Sequence, residues 1–261
     1  MKNFNIQTYF QELCDLALEA STKVMSYYGD PYGTTRKKDG SFVTLADRAS
    51  EDIILKKLKE LTPNIEIISE ETFADNPITQ LQNGDFWCVD PIDGTDGFVN
   101  QNGMFCINIA LILNYIPIFG LIAHPPTEKI WIGTDKVAWM IEKNLSPQKL
   151  YSTNPMKSPL KAVTSTHYTP RLQHFIEENQ FQHAQKLGSA LKFCALAEGQ
   201  YDIYPRLSAV CEWDIAAGDA ILKGAGGCIL DMQGNPVTYG NDGFKTKPFI
   251  AYSKSPIEHS V

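Results

Sequence analysis

The chain has no excess of positive charge. Its 261 residues carry 23 Lys and Arg against 30 Asp and Glu, a net charge of −7. The basic footprint of a non-specific nucleic-acid binder is therefore missing. There is no CxxC pair either. The six cysteines (14, 88, 106, 194, 211 and 228) are scattered, most of them in apolar runs. That is the pattern of reduced core thiols in a cytosolic protein, not of a zinc site or a disulfide framework. The N-terminus has no long apolar segment of the secretory type. Internal repeats and low-complexity tracts are absent. One stretch, Phe98 to Thr127, lacks Asp, Glu, Lys and Arg altogether. A membrane span does not fit it, because Asn108, Asn114, Pro117 and Pro125-Pro126 interrupt the run. Two strands fit instead, Cys106 to Leu113 and Pro117 to Ala123, joined by a tight turn at Asn114-Tyr115.

What is present is ordinary for a globular protein: 43% hydrophobic and 20% charged residues, enough for a sizeable core in one large domain or two small ones. Apolar residues at helical spacing from Ile6 to Tyr27 predict an amphipathic helix over 6–28, ended at Gly29 to Gly33. Thr34 to Gly40 is polar and basic, and reads as an exposed mobile loop. Thr44 opens a second helix to about Leu61, with Asp47 answering in a capping box. Ile65 to Ile68 predicts a strand ending at Ser69-Glu70-Glu71, and 72–85 a loop. After the Phe86 to Val89 strand and the hairpin come strands Lys129 to Gly133 and Val137 to Ile141. Many consecutive strands after two helices predict an antiparallel or mixed sheet with helices packed on it. Residues 143–160, with three X-Pro pairs, read as a linker. It separates a metal-binding and catalytic half (1–145) from a substrate-binding half (160–261), the two forming one structural unit. The second half reads as strand Lys161 to Ser165, a helix from Thr169-Pro170 to Asn179, and a helix from Ala190 to Glu198. Strand Tyr201 to Tyr204, an Ala-rich helix opened by Glu212-Trp213-Asp214, and strands Cys228 to Asp231 and Pro248 to Tyr252 complete it.

Trp87-Cys88-Val89-Asp90-Pro91-Ile92-Asp93-Gly94-Thr95 organises the rest. An apolar strand stops at a proline that fixes φ. Two carboxylates then sit on the turn, followed by a glycine and a threonine with a free hydroxyl. Asp90, the Ile92 carbonyl and Asp93 are the hard oxygens that a divalent cation wants. Each acid also has a plainer reading: Asp47 as a cap, Glu70-Glu71 as a solvated edge, Asp214 as a first-turn carboxylate favoured by the helix dipole. Jointly they make a pattern. If Glu70, Asp90, Asp93 and Asp214 meet, about four negative charges would not stay ionised without two or three divalent ions. With no His–Cys cluster to compete, Mg²⁺ or Mn²⁺ is the expected cation.

The motifs Asp90-Pro91-Ile92-Asp93-Gly94-Thr95, Ser69-Glu70-Glu71 and Trp213-Asp214-Ile215-Ala216-Ala217-Gly218, with Thr44 to Asp47 ahead of the second helix, together resemble the inositol monophosphatase superfamily of metal-dependent phosphatases. The match runs from Thr44 to Gly227. Gly188-Ser189-Ala190-Leu191-Lys192-Phe193-Cys194, Ala197 to Gln200 and Tyr204-Pro205-Arg206 resemble its CysQ branch, the 3′(2′),5′-bisphosphate nucleotidases. The resemblance implies an α/β layered fold, the sugar-phosphatase arrangement of alternating helix and sheet layers (αβαβα). It implies hydrolysis of the 3′-phosphate of adenosine 3′,5′-bisphosphate, with the 5′-phosphosulfate analogue as a further substrate and lithium as an inhibitor. Inositol phosphates or sugar bisphosphates are the alternative substrates, and a non-catalytic regulatory protein on the same fold is the alternative class.

By the same resemblance, Glu70, Asp90 and the Ile92 carbonyl hold a first Mg²⁺, and Asp90, Asp93 and Asp214 a second. A third ion draws on Glu70, and Mn²⁺ can substitute. Thr95, oriented by Asp47, helps deprotonate the attacking water, so Asp47, Glu70 and Thr95 are the catalytic candidates. Glu70, Ile92, Asp93, Gly94, Thr95 and Asp214 also border the substrate. For the second anion, Gly188, Ser189, Lys192 and Arg206 are candidates, with His167 beside the nucleotide. The plainer readings are Lys192 as a solvated helical cation and Arg206 as the partner of Glu212. Asp96 after Thr95 departs from the resemblance and adds negative charge beside the phosphate site. His124 reads as structural. The chain is expected in the cytoplasm, with peripheral contact to the inner membrane open.

Overall fold

Helical spacing at the N-terminus closes much as expected. After a 3-10 turn at Ile6–Tyr9, helix α1 runs Phe10–Met25, burying Leu13, Leu16, Ala17, Ala20 and Val24. The computed structural model describes residues 6–29, 33–36, 42–78, 81–151 and 158–256. The stretch read as a mobile loop forms a short antiparallel ribbon at its base, β1 (Thr35–Arg36) with β2 (Phe42–Val43). Residues 37–41, the rest of the stretch expected to be mobile, lie outside the described residues. Helix α2 (Leu45–Leu61) starts on the expected capping box: Thr44 Oγ1 accepts from the backbone of Ala46 and Asp47, and Asp47 takes the Thr44 N–H at 2.7 Å.

Seven strands form the first sheet, in the order of the chain. They are β3 (Glu66–Ser69), β4 (Phe86–Asp93), β5 (Cys106–Leu113), β6 (Ile116–His124), β7 (Lys129–Thr134), β8 (Ala138–Ile141) and β9 (Gln148–Leu150). Only β3 and β4 pair in parallel; every later pair is antiparallel. Between β3 and β4 comes α3 (Glu70–Asp75), and after β4 comes α4 (Thr95–Val99). The β5–β6 hairpin is as expected, with Asn114 and Tyr115 at φ 51° and 64°, the mirror-image turn that suits twisted strands.

Three expectations fail here, each for a local reason. The start of the 72–85 loop is helical, because α3 begins directly at Glu70. Strand β4 does not stop at Pro91 but runs on to Asp93 through a bulge, where the missing proline N–H costs no ladder bond. The stretch read as a linker contains β9, which extends the sheet beside β8.

The second sheet has the order β11-β10-β12-β14-β13. Its parts are β10 (Lys161–Thr164), α5 (Pro170–Glu178), β11 (Gln182–Lys186), α6 (Leu191–Ala197), β12 (Ile203–Arg206), α7 (Ala216–Ala225), β13 (Cys228–Asp231) and β14 (Phe249–Tyr252). Strand β11, Gln-His-Ala-Gln-Lys, has one apolar residue and carries no apolar alternation that would signal a strand. Thr169 caps α5 as expected, accepting from the Leu172 N–H at 3.2 Å.

Alternation along β4 explains the layering. Trp87 and Val89 join a core with Leu13, Leu16, Ile54 and Leu58 from α1 and α2, whereas Phe86 and Cys88 join one with Phe193, Ala217 and Ile221 from α6 and α7. The second core also takes Val163, Ile229, Phe249 and Ala251 from the far sheet, and α5 covers that sheet's outer face through Leu172 and Ile176. Both faces of the first sheet are therefore buried, which is why its strands read as continuous apolar runs. The result is the expected α/β layering, helix–sheet–helix–sheet–helix. Helix α7 lies so close that a Cβ on Gly120 would come 2.1 Å from the Ala217 carbonyl oxygen. Among the described residues, no helix is long and apolar enough to cross a membrane.

Candidate active site

Strand pairing brings the first-half acids together. In the parallel pair, Ser69 lies beside Val89, so Glu70 at the start of α3 neighbours the Asp90 loop. The bulge sets four residues of β4, Asp90 to Asp93, against three of β5, Asn108 to Cys106. Asp90 Oδ1 accepts from the Ile92 N–H at 3.0 Å, tightening the turn. Gly94 then takes φ +87°, and a Cβ there would lie 2.6 Å from the Met104 carbonyl oxygen. Only glycine fits, and the turn launches α4 with Thr95 at its first position.

Asp214 arrives from the second half. It does not open the Ala-rich helix as expected. It ends a separate 3-10 turn, Glu212–Asp214, one residue before α7, because its carboxylate bonds back to the Cys211 N–H at 3.0 Å. Buried Glu212 fixes that turn, accepting from the N–H groups of Gly240 and Asn241 at 2.8 Å each.

Carboxylate oxygens of Asp90, Asp93 and Asp214 fall within 4.8 Å of one another. Burial is the largest influence on all three and pushes each carboxyl group above the ordinary range; repulsion from Glu70 and from one another adds to it. For Asp93 the rise is opposed by Lys192, by the Asn108 amide at 3.2 Å and by the Ala190 N–H at 2.5 Å. Glu70 lies outside the 4.8 Å group yet close enough to act on each member through charge. A set of hard oxygens, buried at Asp90 and half-buried at Asp93 and Asp214, with too little positive charge around it, fits a divalent cation of the Mg²⁺ or Mn²⁺ kind. The Ile92 carbonyl adds a neutral oxygen on the same loop, and it already accepts from Thr95 Oγ1 at 3.1 Å.

Asp47 serves two elements. One carboxylate oxygen caps α2, and the other accepts from Thr95 Oγ1 at 3.3 Å. The capping and the orienting readings of Asp47 thus hold together. With its proton directed at Asp47 and the Ile92 carbonyl, the Thr95 hydroxyl keeps its lone pairs for a further donor.

Beside this cluster is an open pocket of about 390 Å³, lined by Asp93, Gly94, His167, Gly188, Ser189, Lys192, Arg206 and Asp214 among others. Asp93 and Gly94 of the first half therefore share one cavity with the second-half candidates, whereas Asp47, Glu70, Asp90, Ile92 and Thr95 are not in its lining. Lys192 is not a solvated cation: it is 5% exposed. Its ammonium donates to the carbonyls of Leu187 and Ser189 and lies 5.1 Å over the Tyr204 ring. Burial lowers its pKa to about 8, against the pull of Asp93. Arg206 does not pair with Glu212, whose carboxylate is taken by the 240–241 turn. Its Nε is buried without a hydrogen-bond partner. Ser165 Oγ donates to the His167 carbonyl at 3.0 Å and steadies that backbone. Asp96 also lines the pocket, exposed at its edge. His124 lies apart from these groups, its ring nitrogens 2.8 Å from Thr127 Oγ1 and from the Gly103 carbonyl oxygen.

One residue of the site escapes the sequence reading. Asn108, read above only as an interruption of an apolar run, is 1% exposed. Its amide donates to Asp93 Oδ2 and to the Trp213 carbonyl, each at 3.2 Å. It thereby ties the Asp93 loop to the turn that carries Asp214. The signal was a lone amide inside a strand apolar everywhere else, where burial demands a partner.

Comparison with known proteins agrees with the resemblance. Residues 5–254 match the inositol monophosphatase family. The 3′(2′),5′-bisphosphate nucleotidase CysQ of Salmonella typhimurium is 35% identical over 233 residues, covering 88% of this chain and 93% of that protein. Its counterpart in Escherichia coli K12 is 34% identical over 230 residues, covering 87% and 92%. The crystal structure of CysQ from Bacteroides thetaiotaomicron superposes with a TM-score of 0.77 at 27% identity, covering 95% of this chain and 99% of that one.

Proposed function

The chain belongs to the inositol monophosphatase family, and from that premise we propose that it is a metal-dependent 3′(2′),5′-bisphosphate nucleotidase, releasing the 3′-phosphate of adenosine 3′,5′-bisphosphate to leave AMP. The observation that carries the reading is the meeting of Asp90, Asp93 and Asp214 within 4.8 Å, beside a pocket that Asp93 and Asp214 share with Lys192 and Arg206. The acids of that cavity would hold cations that polarise a phosphoester, and Lys192 and Arg206 suit a second anion. The reading includes two or three Mg²⁺ ions, a cytoplasmic location and the 5′-phosphosulfate analogue as a second substrate.

Glu70, Asp90, Asp93, Asp214 and the Ile92 carbonyl would hold the ions. Bound there, Mg²⁺ supplies charge neutralisation, polarisation of the phosphate and a more acidic water. The remaining work falls to the chain. Thr95 Oγ accepts a proton from the attacking water while its own proton passes towards Asp47 Oδ1, so one hydroxyl relays a single proton to one carboxylate. The Thr44 N–H and hydroxyl already hold the other oxygen of Asp47, at 2.7 and 2.6 Å, which keeps the acceptor aimed at Thr95. Gly94 lines the pocket at the turn into α4, and Thr95 follows it as the first residue of that helix. Lys192 and Arg206 bind the distal 5′ anion, Arg206 through a donor fork that matches phosphate oxygens. His167, Gly188 and Ser189 border the nucleoside between them.

The test compares inorganic phosphate release from adenosine 3′,5′-bisphosphate and from inositol monophosphate, with Mg²⁺ and with EDTA. The expected result is metal-dependent release that favours the nucleotide. Equal or better turnover of the inositol phosphate overturns the substrate assignment. Undiminished release by Asp93→Asn overturns the catalytic assignment and leaves a regulatory protein on this fold.

A further inference from the structure

Helix α2 carries three polar residues where a core helix would carry apolar ones. Asp47, Ser50 and Glu51 stand at i, i+3 and i+4, on one face. They are 1%, 0% and 5% exposed, in line with Ile54 and Leu58 further along, both 0% exposed. Burying polar groups on a core face is costly unless each finds a partner. Here each partner is a different piece of the site. Asp47 holds Thr95. Ser50 Oγ donates to the Pro91 carbonyl at 2.9 Å, between Asp90 and Ile92. Glu51 Oε1 accepts from the Thr72 N–H at 2.9 Å, two residues past Glu70.

The last contact replaces something α3 lacks. Its N-cap residue, Ser69, makes no side-chain capping bond, so Glu51 caps the turn from the neighbouring helix. Arg48, on the same helix, grips the other end of α3 through Asp75 at 2.8 and 3.0 Å. Helix α3 has only six residues, too few to hold its own geometry. Its placement, and that of Glu70, is held by α2 on one side and by Phe73 against Trp213 and Phe244 on the other.

We propose that the buried polar face of α2 is the jig of the metal centre: Ser50 and Glu51 are positioning residues that fix the Asp90–Ile92 carbonyl loop relative to Glu70 and so set the affinity for the divalent cations. The inference rests on the metal reading above and goes beyond it, because neither residue belongs to the acid cluster or lines the pocket. Thr62 supplies the control. At the far end of α2 its hydroxyl accepts from Trp87 Nε1 at 2.8 Å, equally buried and away from the site.

Calorimetric titration of MgCl₂ and MnCl₂ onto the whole chain tests it, alongside the shift in melting temperature that each ion produces. Ser50→Ala and Glu51→Ala should weaken cation binding about tenfold, the usual effect of losing a residue that orients a ligand. Glu51→Gln keeps the acceptor for Thr72 and should stay within about threefold of wild type, whereas Glu51→Met, of similar length without an acceptor, should not. Thr62→Val should melt lower but bind the cation as wild type does. If Ser50→Ala and Glu51→Met bind the ions with wild-type affinity, this inference is overturned and the metal reading survives. If the wild-type chain itself binds neither ion, both fall.

Discussion

Asn108 offers the sharpest quantitative test of how the two halves are joined. Replacing it with alanine deletes two buried hydrogen bonds, one to the Asp93 carboxylate and one to the Trp213 carbonyl. A bond to a charged group is worth about 1.5–3 kcal/mol and a neutral one about 0.5–1.5, so the loss is about 3 kcal/mol. For a chain of 261 residues, each kcal/mol lowers the melting temperature by about 2–4 °C, giving a fall of roughly 6–12 °C. Asn108→Asp keeps the shape but loses both donors and sets another carboxyl beside Asp93 and Asp214. It should melt at least as low as the alanine variant. Because Asp93 and Asp214 both depend on this amide, kcat should fall more than about tenfold in either variant, the scale on which small misplacements act. Scanning calorimetry and a phosphate-release assay measure the two effects. A melting point within about 2 °C of wild type, with kcat within twofold, would refute the claim that Asn108 couples the halves.

Three further outcomes are expected. Thr95→Val keeps the shape of the side chain but removes the hydroxyl that bonds Asp47 and the Ile92 carbonyl. Steady-state kinetics should show kcat down by about 10²–10⁴ with KM little changed, and a loss under threefold would remove Thr95 from the proton relay. Arg206→Ala should raise KM for adenosine 3′,5′-bisphosphate by about 10- to 100-fold, the worth of a charge-assisted bond, and leave a substrate with a single 3′-phosphate nearly unaffected. Equal losses on both substrates would contradict a distal anion site. His124, buried enough that desolvation lowers its pKa below the ordinary 6.5, resists protonation in the folded chain. Stability is therefore complete above the unfolded pKa and falls as pH drops below it, by at most about 1.4 kcal/mol per pH unit. Melting curves between pH 7.5 and 5.5 should be flatter in His124→Gln than in wild type, and identical slopes would count against the assignment.

Much of this molecule is legible along the chain, for a physical reason. Helices α1 and α2, the β5–β6 hairpin and the capping box at Thr44 depend on neighbours within a turn or a hairpin, so periodicity and turn residues record them. The acids Glu70, Asp90, Asp93 and Asp214 are likewise conspicuous, because they stand in short motifs beside apolar runs, although each one alone has a plainer local reading. What sequence could not carry is any contact whose partner lies far along the chain. Strand β11 forms from mostly polar residues because β10 offers it an edge, and β4 continues through Pro91 because a bulge removes the need for an N–H. Asp214 sits in its own turn because Glu212 is held by the 240–241 loop. Asn108, Ser50 and Glu51 carry their roles only through partners that the layers bring to them. Local order was written in local pattern, and the spacing of the charged centre was decided by packing.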